Sequence, residues 1–190
     1  MGMSPDALEA AHLIDRLERL ARSGVGVGAL NSAQWEALRY LSRANRFSRS
    51  PAAVAAYLGS TRGTVSQTLI ALEQKGFVAR RPSARDKRFV DLDLTAQGVA
   101  AVQNDPLRAL AEAIEQASGD GGQGLAAALR AVLRRAIARN GHRPFGACFS
   151  CRHFRRDTEP GSPTPHRCGL MNEPLTEADS RGLCIEHEAA

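Results

Sequence analysis

Four cysteines near the carboxyl end of the chain have the clearest capacity for chemistry. Cys148 and Cys151 form a C-x2-C pair, and Cys168 and Cys184 follow at longer intervals. A C-x2-C turn presents two thiolates to one metal or cluster, and the remaining ligands can arrive from any distance. In a reducing compartment such a group predicts a metal site rather than a disulfide framework.

The spacing of these cysteines leaves three occupants open. An iron–sulfur cluster is favoured, [4Fe–4S] over [2Fe–2S], because a close pair plus two isolated ligands is familiar there. A zinc ion would also take four thiolates, although zinc domains more often supply two close pairs. Disulfide or thiol switching is the third interpretation. His153, His166 and His187 each lie within three residues of a cysteine and could replace one, but the arginines around them favour surface groups.

A second set of residues has the chemistry of nucleic-acid recognition. A helix predicted over residues 61–75, with Ser60 as its N-cap, carries hydroxyls, an amide and a guanidinium on its polar face. Arg62 can donate twice to guanine, and Gln67 can pair with adenine. The predicted DNA-binding residues are Ser60, Thr61, Arg62, Thr64, Ser66, Gln67, Arg85, Lys87 and Arg88.

The last three of these residues belong to a basic run between two predicted strands. Arg80, Arg81, Arg85, Lys87 and Arg88 lie within nine residues, with Asp86 as the one counter-charge. An arginine at a hairpin tip fits a narrow minor groove. We expect Arg85 or Arg88 to enter the groove and Asp86 to hold one arginine by a salt bridge.

The elements that position these residues follow from periodicity and turn signals. Helices over 51–58 and 61–75, separated by Gly59, have the spacing of a helix-turn-helix, and the alternation of Val90, Leu92 and Leu94 predicts a wing strand. Further helices are predicted over 5–22, from residue 32 to about 45, and over 96–117 and 125–139. The first and the last two exceed what a small winged core needs, which predicts a dimerisation layer.

Bulk properties exclude other classes of protein. The net charge is +5, no apolar run approaches the roughly 20 residues that span a bilayer, and the first residues lack a signal-peptide pattern. We therefore expect a cytoplasmic protein that contacts no membrane. No nucleophile–base pair, phosphate loop or acid–base dyad is apparent outside the cysteine segment, so an enzyme is not predicted.

Several stretches resemble the MarR family of winged-helix regulators. They are Trp35–Leu41, Ala55–Leu69, Leu72–Gly76 and the Asp86–Arg88 wing motif leading to Thr95. The resemblance covers residues 5–139 and implies a winged helix in a twofold dimer, usually a repressor switched by a ligand or oxidant. Such proteins typically bind small phenolic effectors between the dimer helices and the winged core. The cysteine segment is not part of the usual family pattern.

The sequence therefore predicts a mainly α fold with a small β wing. Residues 1–140 would form the winged helix-turn-helix and dimerisation domain, and residues 141–190 a loop-rich metal or iron–sulfur segment. The expected function is a sequence-specific regulator, a repressor, that binds a pseudo-palindromic duplex operator as a homodimer and whose iron–sulfur centre senses redox state or iron. The alternative is a repressor responsive to a small-molecule effector, with a structural zinc site.

Overall fold

The computed structural model describes residues 2, 4–23, 30–83 and 86–190 and has a mainly helical fold with small antiparallel sheets. The long helices are α1 (Pro5–Ser23), α2 (Ser32–Arg43), α3 (Pro51–Leu58), α4 (Arg62–Gln74), α5 (Ala96–Gln103), α6 (Leu107–Ala117) and α7 (Gln123–Arg139). Strands β1 (Val78–Pro82) and β2 (Val90–Leu94) form a hairpin between α4 and α5. None of the described helices is long and apolar enough to cross a membrane.

The main hydrophobic core lies where α2, α3, α4 and the hairpin meet. Leu38, Leu69 and Leu92 are fully buried there, with Tyr40 beside them. Local signals start the helices: Asn31 forms a capping box with Gln34 at α2. At α3 the Ser50 side chain accepts the Ala53 N–H and Pro51 occupies the first turn, where a proline removes no needed donor.

The hairpin is the wing predicted from the alternating residues. Its register runs from Val78 opposite Leu94 to Pro82 opposite Val90. Leu92 is buried in the core, and Val90 and Leu94 pack against it. The period-two pattern was sufficient to predict the strand because one face of the hairpin rests on α2 and α3.

The helix predicted over residues 96–117 is wrong, because the chain forms two helices there. Asn104 caps the end of α5, and α6 begins at Leu107. Pro106 disfavours helix at the preceding residue, and Asp105 accepts the N–H of Leu107 at 2.8 Å. Asp105 also pairs with Arg39 of α2 at 2.6 Å. The break thus directs α6 away from the winged core and ties its start to α2.

Three helices bury almost nothing within a single chain. Every residue of α1 before Ala21 is exposed, and α6 and α7 contain no buried residue. Their apolar side chains are open to solvent: Leu13, Ile14, Leu17, Leu20, Leu125, Leu129, Val132 and Leu133. Because an apolar stripe on a helix normally packs against another element, these faces are incomplete in one copy of the chain.

The last fifty residues fold around short strands. Strand β3 (Gly146–Ala147) pairs with β7 (Leu183–Cys184), and β4 (Phe154–Arg155), β5 (His166–Cys168) and β6 (Glu173–Leu175) form an antiparallel sheet. The short helix α8 (Glu177–Arg181) carries a capping box from Thr176. The described segment has more regular structure than the loop-rich fold predicted from its composition.

The cysteine segment, residues 141–190, is docked on the winged core. The N–H of Asn45 donates to Leu183 O at 2.9 Å, and the N–H of Ile185 donates to Ser48 Oγ at 2.9 Å. Glycine is required at 182, since a Cβ there would lie 2.8 Å from the backbone nitrogen of Asn45. The contacts fall on the connection between α2 and α3, directly before the helix-turn-helix.

Candidate nucleic-acid interface and cysteine cluster

Helix α4 displays most of the predicted DNA-reading residues. Arg62, Thr64 and Gln67 are exposed, whereas Val65, Leu69 and Leu72 on the opposite face are buried. Gly59 turns the chain between α3 and α4 with a φ of 59°, a conformation that glycine adopts without strain. The helix-turn-helix therefore anchors α4 by one face and leaves the other open. Ser60 and Ser66 are half-buried at the edge of this open face.

The N-cap of α4 is Thr61, and the prediction of Ser60 is wrong. Thr61 Oγ1 accepts the N–H of Thr64 at 3.2 Å and lies 2.9 Å from the Thr64 hydroxyl. The Ser60 N–H instead donates to Ala55 O and belongs to the preceding turn. The Thr61 side chain is therefore engaged in capping α4. Arg62 is the first exposed side chain of the helix itself.

The wing tip carries the expected arginine–carboxylate pair. Arg88 Nη2 lies 2.6 Å from Asp86 Oδ2, and the Arg88 N–H also donates to Asp86 Oδ1 at 3.0 Å. The side-chain hydrogen bond from Arg88 holds the pKa of the Asp86 carboxyl below its usual range. Lys87 is exposed beside this pair. Arg85 lies outside the described residues.

The stem arginines of the wing are partly neutralised. Arg80 approaches Glu73 of α4 at 3.9 Å, and Arg81 lies 3.6 Å from Asp93 on the opposite strand. Arg88 at the tip is also paired, so among the described basic residues of the wing Lys87 is the one without an ion pair. An exposed cation at the tip can attract a phosphate.

The four cysteines line one small cavity in the C-terminal segment. Cys148 and Cys151 flank a 3-10 turn, Cys168 ends β5, and Cys184 ends β7. The cavity has a volume of about 20 Å³. Phe47, Phe154 and Leu175 pack against it. All four thiols are free of disulfides, and Cys148 and Cys184 are buried. The two distant cysteines thus line the same cavity as the C-x2-C pair.

Donors around the sulfurs favour a thiolate at Cys184. A hydrogen bond from Cys148 lowers the pKa of the Cys184 thiol to about 6, and burial opposes this shift only in part. The nearby Asn45 and Ser48 side chains and the Glu186 backbone act in the same direction. The pKa of Cys148 is raised in turn, because its neutral thiol is hydrogen-bonded to Cys184 and is buried.

Asn45 and Ser48 are site residues that the sequence did not reveal. Asn45 Nδ2 donates to Cys148 Sγ at 3.2 Å, across 103 positions of sequence. The Asn45 side chain also accepts the N–H of Phe47 and so caps the 3-10 turn Arg46–Ser48. Hydrogen bonds to a ligating sulfur orient it and tune its basicity, so these two residues support the cysteines from the winged core. Their only sequence signal was an asparagine near a helix end.

The three histidines near the cysteines have different surroundings. His153 lines the cysteine cavity, and its Nε2 lies 3.3 Å from Glu188. His166 is buried: its Nδ1 accepts the Asp157 N–H, and its Nε2 lies 2.8 Å from Glu177. The prediction of a surface group is therefore wrong for His166. His187 contacts Ser150 outside the cavity.

The four thiols are the right chemical groups for a thiolate-bound centre, but they are not arranged to hold a metal ion. In the part of the chain that the structure describes, no group of three or more His, Cys, Asp or Glu side chains is arranged to hold a metal ion. Four sulfurs share one cavity, with N–H donors to Cys148 and Cys168. Soft thiolates of this kind suit zinc or an iron–sulfur cluster. Ligation would therefore require these side chains to rearrange.

Together, the fold, the open face of α4 and the wing define a winged helix-turn-helix protein. In a comparison with sequence models of protein families, the model described as the MarR family matches residues 30–88. This range runs from just before α2 to the wing. The match covers this part of the chain only, and it agrees with the resemblance drawn from the sequence. A search of the curated proteins found no match.

Solved structures of winged-helix regulators show the same fold. BldR from Sulfolobus solfataricus, described as a transcriptional regulator, is 22% identical, has a TM-score of 0.56, and covers 71% of this chain and 99% of its own. A point mutant of S. aureus MepR is 22% identical, with a TM-score of 0.54 and coverage of 70% and 99%. A mutant of MarR from E. coli has the same identity, TM-score and coverage. At this identity the likeness supports the fold, and the cysteine segment rests on its own geometry.

Proposed function

We propose that the protein is a transcriptional regulator that binds a specific duplex operator through α4 and the wing. The main observation is the open polar face of α4, where Arg62, Thr64 and Gln67 are exposed, together with the exposed basic residues Lys87 and Arg88 of the wing. Polar side chains of this kind read base edges in the major groove, and an arginine at the tip suits the minor groove. Repression is the expected outcome of such binding when the operator overlaps a promoter.

Operator selection from a random duplex library, followed by fluorescence anisotropy, tests this proposal. Replacing Gln67 or Arg62 by alanine is expected to cost about 1–3 kcal/mol at individual base pairs. Replacing Arg88 should weaken binding to all sequences and lower the salt slope by about one for each phosphate that is no longer neutralised. Gln74→Ala, at the exposed far end of α4, is the matched control. Selection that recovers no sequence would reject specific binding.

The regulator acts as a homodimer in this proposal. The support is the exposed apolar faces of α1, α6 and α7, including Val132 at 57% and Leu133 at 58% exposure. A second copy is the simplest partner for these faces, and it would place two recognition helices on half-sites roughly 34 Å apart. Sedimentation should give a dimer, and Leu133→Glu should give a monomer. Arg135→Glu on the same helix is the control.

We further propose that Cys148, Cys151, Cys168 and Cys184 ligate one metal centre. Cys184 is set up as a thiolate, Asn45 orients Cys148, and Met171 N–H donates to Cys168 at 3.5 Å. A bound iron–sulfur cluster would make the centre responsive to oxidants or iron, whereas a zinc ion would hold the segment together. The cavity of about 20 Å³ favours the single ion, since a cluster needs its walls to move apart.

Protein purified without oxygen decides between the two occupants. A brown protein with bound iron and sulfide supports the cluster, and a colourless protein with one zinc per chain supports the ion. A protein without either metal, whose four thiols all react freely, would reject the centre. The operator affinities of the metal-bound and metal-free dimers are then compared at fixed salt. Different affinities indicate a sensor, and equal affinities indicate a centre that only stabilises the segment.

A sensing role has a short path to the DNA-binding helices. Phe145, which leads into the cysteine segment, packs edge-on against Tyr40 of α2 and Tyr57 of α3, with ring centroids 5.9 and 5.1 Å apart. Asn45 and Ser48 join the same segment to the residues before α3. Changes at the cysteines would therefore reach the helix-turn-helix directly, besides acting through the end of α7. Such a change alters affinity only if it alters these contacts.

A second candidate is effector-responsive repression, and a groove favours it. A largely apolar groove of about 360 Å³ lies between α1, α2, α6 and α7, lined by Leu17, Leu110 and Leu129 among others. A small phenolic effector of the kind implied by the family resemblance would suit it. Release of the operator by such a phenol, with the cysteines intact and metal-loaded, would favour this candidate over the sensor.

A further inference from the structure

A wide cleft lies between α7 and the cysteine segment, and it shares no lining residue with the cysteine cavity. Its volume is about 600 Å³, within the range of small-molecule sites. The walls come from three places: the end of α2, the exposed face of α7, and the segment around β3, β7 and α8. It is distinct from the groove between α1 and α6, with which it shares no lining residue.

Arginines from each of these walls meet at the cleft. They are Arg43 at the end of α2, Arg49 before α3, Arg130 and Arg134 on α7, and Arg181 on α8. The one carboxylate in the lining is Asp179. Its Oδ2 already accepts two hydrogen bonds from Thr176, so it does not offset the arginines fully.

Three of the five arginines form no ion pair within the described residues. Arg49 lies 3.4 Å from Asp93, and Arg181 lies 3.0 Å from Glu177. No acidic partner lies within 4.0 Å of Arg43, Arg130 or Arg134 in the part of the chain the structure describes. A concave surface lined by one sign of charge concentrates its field and attracts the opposite charge.

The arrangement on α7 is unfavourable for the helix alone. Arg130 and Arg134 are four residues apart, so they lie on one face, and like charges at this spacing destabilise a helix. They face Arg43 and Arg181 across the same cleft. An anion between them would relieve the repulsion and accept paired guanidinium hydrogen bonds.

The remainder of the lining combines apolar side chains with the polar side chains of Asn45, His187 and two serines. Phe145 and Leu183 are partly buried against the main core, and Phe149 presents its ring with 56% exposure. Such surfaces fit a hydrocarbon or aromatic body better than a bare inorganic ion. Ser42 and Ser150 add hydroxyls at the edge.

We infer that this cleft is a binding site for an organic anion, a small molecule with a phosphate or carboxylate group on an apolar body. Arg130 and Arg134 would hold the oxyanion with Arg43, and Phe145 and Phe149 would contact the body. The ligand would bridge α7 of the proposed dimer layer and the cysteine segment. This inference does not rest on the operator or on a metal at the cysteines.

Calorimetric titration of the full-length protein with phenyl phosphate tests the site. Inorganic phosphate and phenol, which each carry one part of that molecule, are titrated for comparison. Phenyl phosphate should bind once per chain, inorganic phosphate more weakly at the same site, and phenol should not compete. The Arg130→Ala/Arg134→Ala double variant should lose at least about tenfold in affinity, since charge-assisted hydrogen bonds are the strong ones. Alanine favours the helix, so the variant should fold.

Two controls keep the result specific. Arg135→Ala removes the same charge from α7 outside the cleft and should leave binding unchanged. Phe149→Ser should weaken phenyl phosphate several-fold while leaving inorganic phosphate unaffected. Equal binding by the double variant, or phenol binding as tightly as phenyl phosphate, would overturn the inference. Loss of operator affinity and of salt slope in the double variant, without any phosphate binding by the wild type, would assign the arginines to DNA instead.

Discussion

The winged core and the cysteine segment differ in how much apolar burial stabilises them. The core buries Leu38, Leu69, Leu92 and their neighbours in one continuous apolar cluster. The segment has a single fully buried leucine, Leu175, and its other buried apolar residues are the thiols Cys148 and Cys184. A stretch with so little apolar burial needs another source of order. Here that source is docking on residues 44–48, supplemented by the proposed centre.

The recognition helix and the cysteine site also differ in how far each depends on the winged core. The recognition face of α4 is exposed and polar because the opposite face of the helix is anchored in the core. The cysteine site is enclosed, and its geometry depends on residues supplied by the core. Substitutions in the core should therefore affect both regions, whereas substitutions in the segment should spare the core.

The largest expected effect is the loss of the proposed centre. Replacing Cys184 by serine removes one of the two buried sulfurs, and we expect loss of all bound metal, as for each of the other three cysteines. The segment should become sensitive to protease while the winged core stays folded, because metal binding supplies folding free energy to core-poor segments. Metal analysis and limited proteolysis measure this. Ser150→Ala, beside Cys151, is the control, and a variant that retained full metal would contradict the prediction.

Matched leucine deletions sharpen the comparison of the two cores. Leu69→Ala should reduce the free energy of unfolding of the winged core by about 2–5 kcal/mol, as cavities in packed interiors do. Leu175→Ala deletes the same group at the same burial but should leave that transition unchanged. Trp35, the single tryptophan, lies in the winged core, so its fluorescence in urea follows that region alone. Reaction of the thiols with a chromogenic disulfide follows the segment. Val99→Ala, at an exposed site on α5, should change neither.

The junction residue Asn45 is expected to have the next largest effect. Asn45→Ala removes the donor to Cys148 and the cap of the 3-10 turn before α3. Loss of an outer hydrogen bond to a ligating residue typically weakens metal affinity about 10–100-fold. Competition with a chelator measures it, and Asn140→Ala, an exposed amide at the end of α7, is the comparison. Unchanged affinity would mean that the segment holds its centre without the core.

The smallest effect concerns the pair that ties α6 to the core. Burial opposes ionisation of Asp105, but hydrogen bonds from Arg39 and the Leu107 N–H outweigh it and lower its pKa. The folded-state pKa is lowered, so the stabilisation is present above the unfolded value of about 3.9 and lost as pH falls through the folded value. Asp105→Asn should cost about 1–3 kcal/mol at neutral pH.

That difference between wild type and Asp105→Asn should shrink as the pH is lowered below about 4, near the unfolded-state pKa of an aspartate. Urea titrations at several pH values measure it. Asp15→Asn disrupts the exposed Arg19 pair on α1 and should cost little at any pH, as exposed ion pairs do. A pH-independent penalty at Asp105 would show that the charge of the carboxylate does not account for the difference.

Local patterns accounted for much of the winged core. Pro51 and Gly59 set the bounds of α3, the alternation at Val90–Leu94 predicted β2, and Asp86 was correctly paired with a wing arginine. These features depend on neighbours within a few residues. The N-cap of α4 shows the limit of such local patterns. Ser60 and Thr61 are both suitable caps, and only the backbone geometry selects Thr61.

By itself, the sequence determined the helix-turn-helix, the wing and the apolar faces of the outer helices, because periodicity and capping are local. Only the tertiary structure decided where the cysteine segment docks, which residues support its sulfurs, and that α6 starts from an Arg39–Asp105 pair. It also brought arginines from α2, α7 and α8 to one cleft. These contacts join residues 66 to 137 positions apart, and no local pattern encodes them because they form only when separate elements pack together.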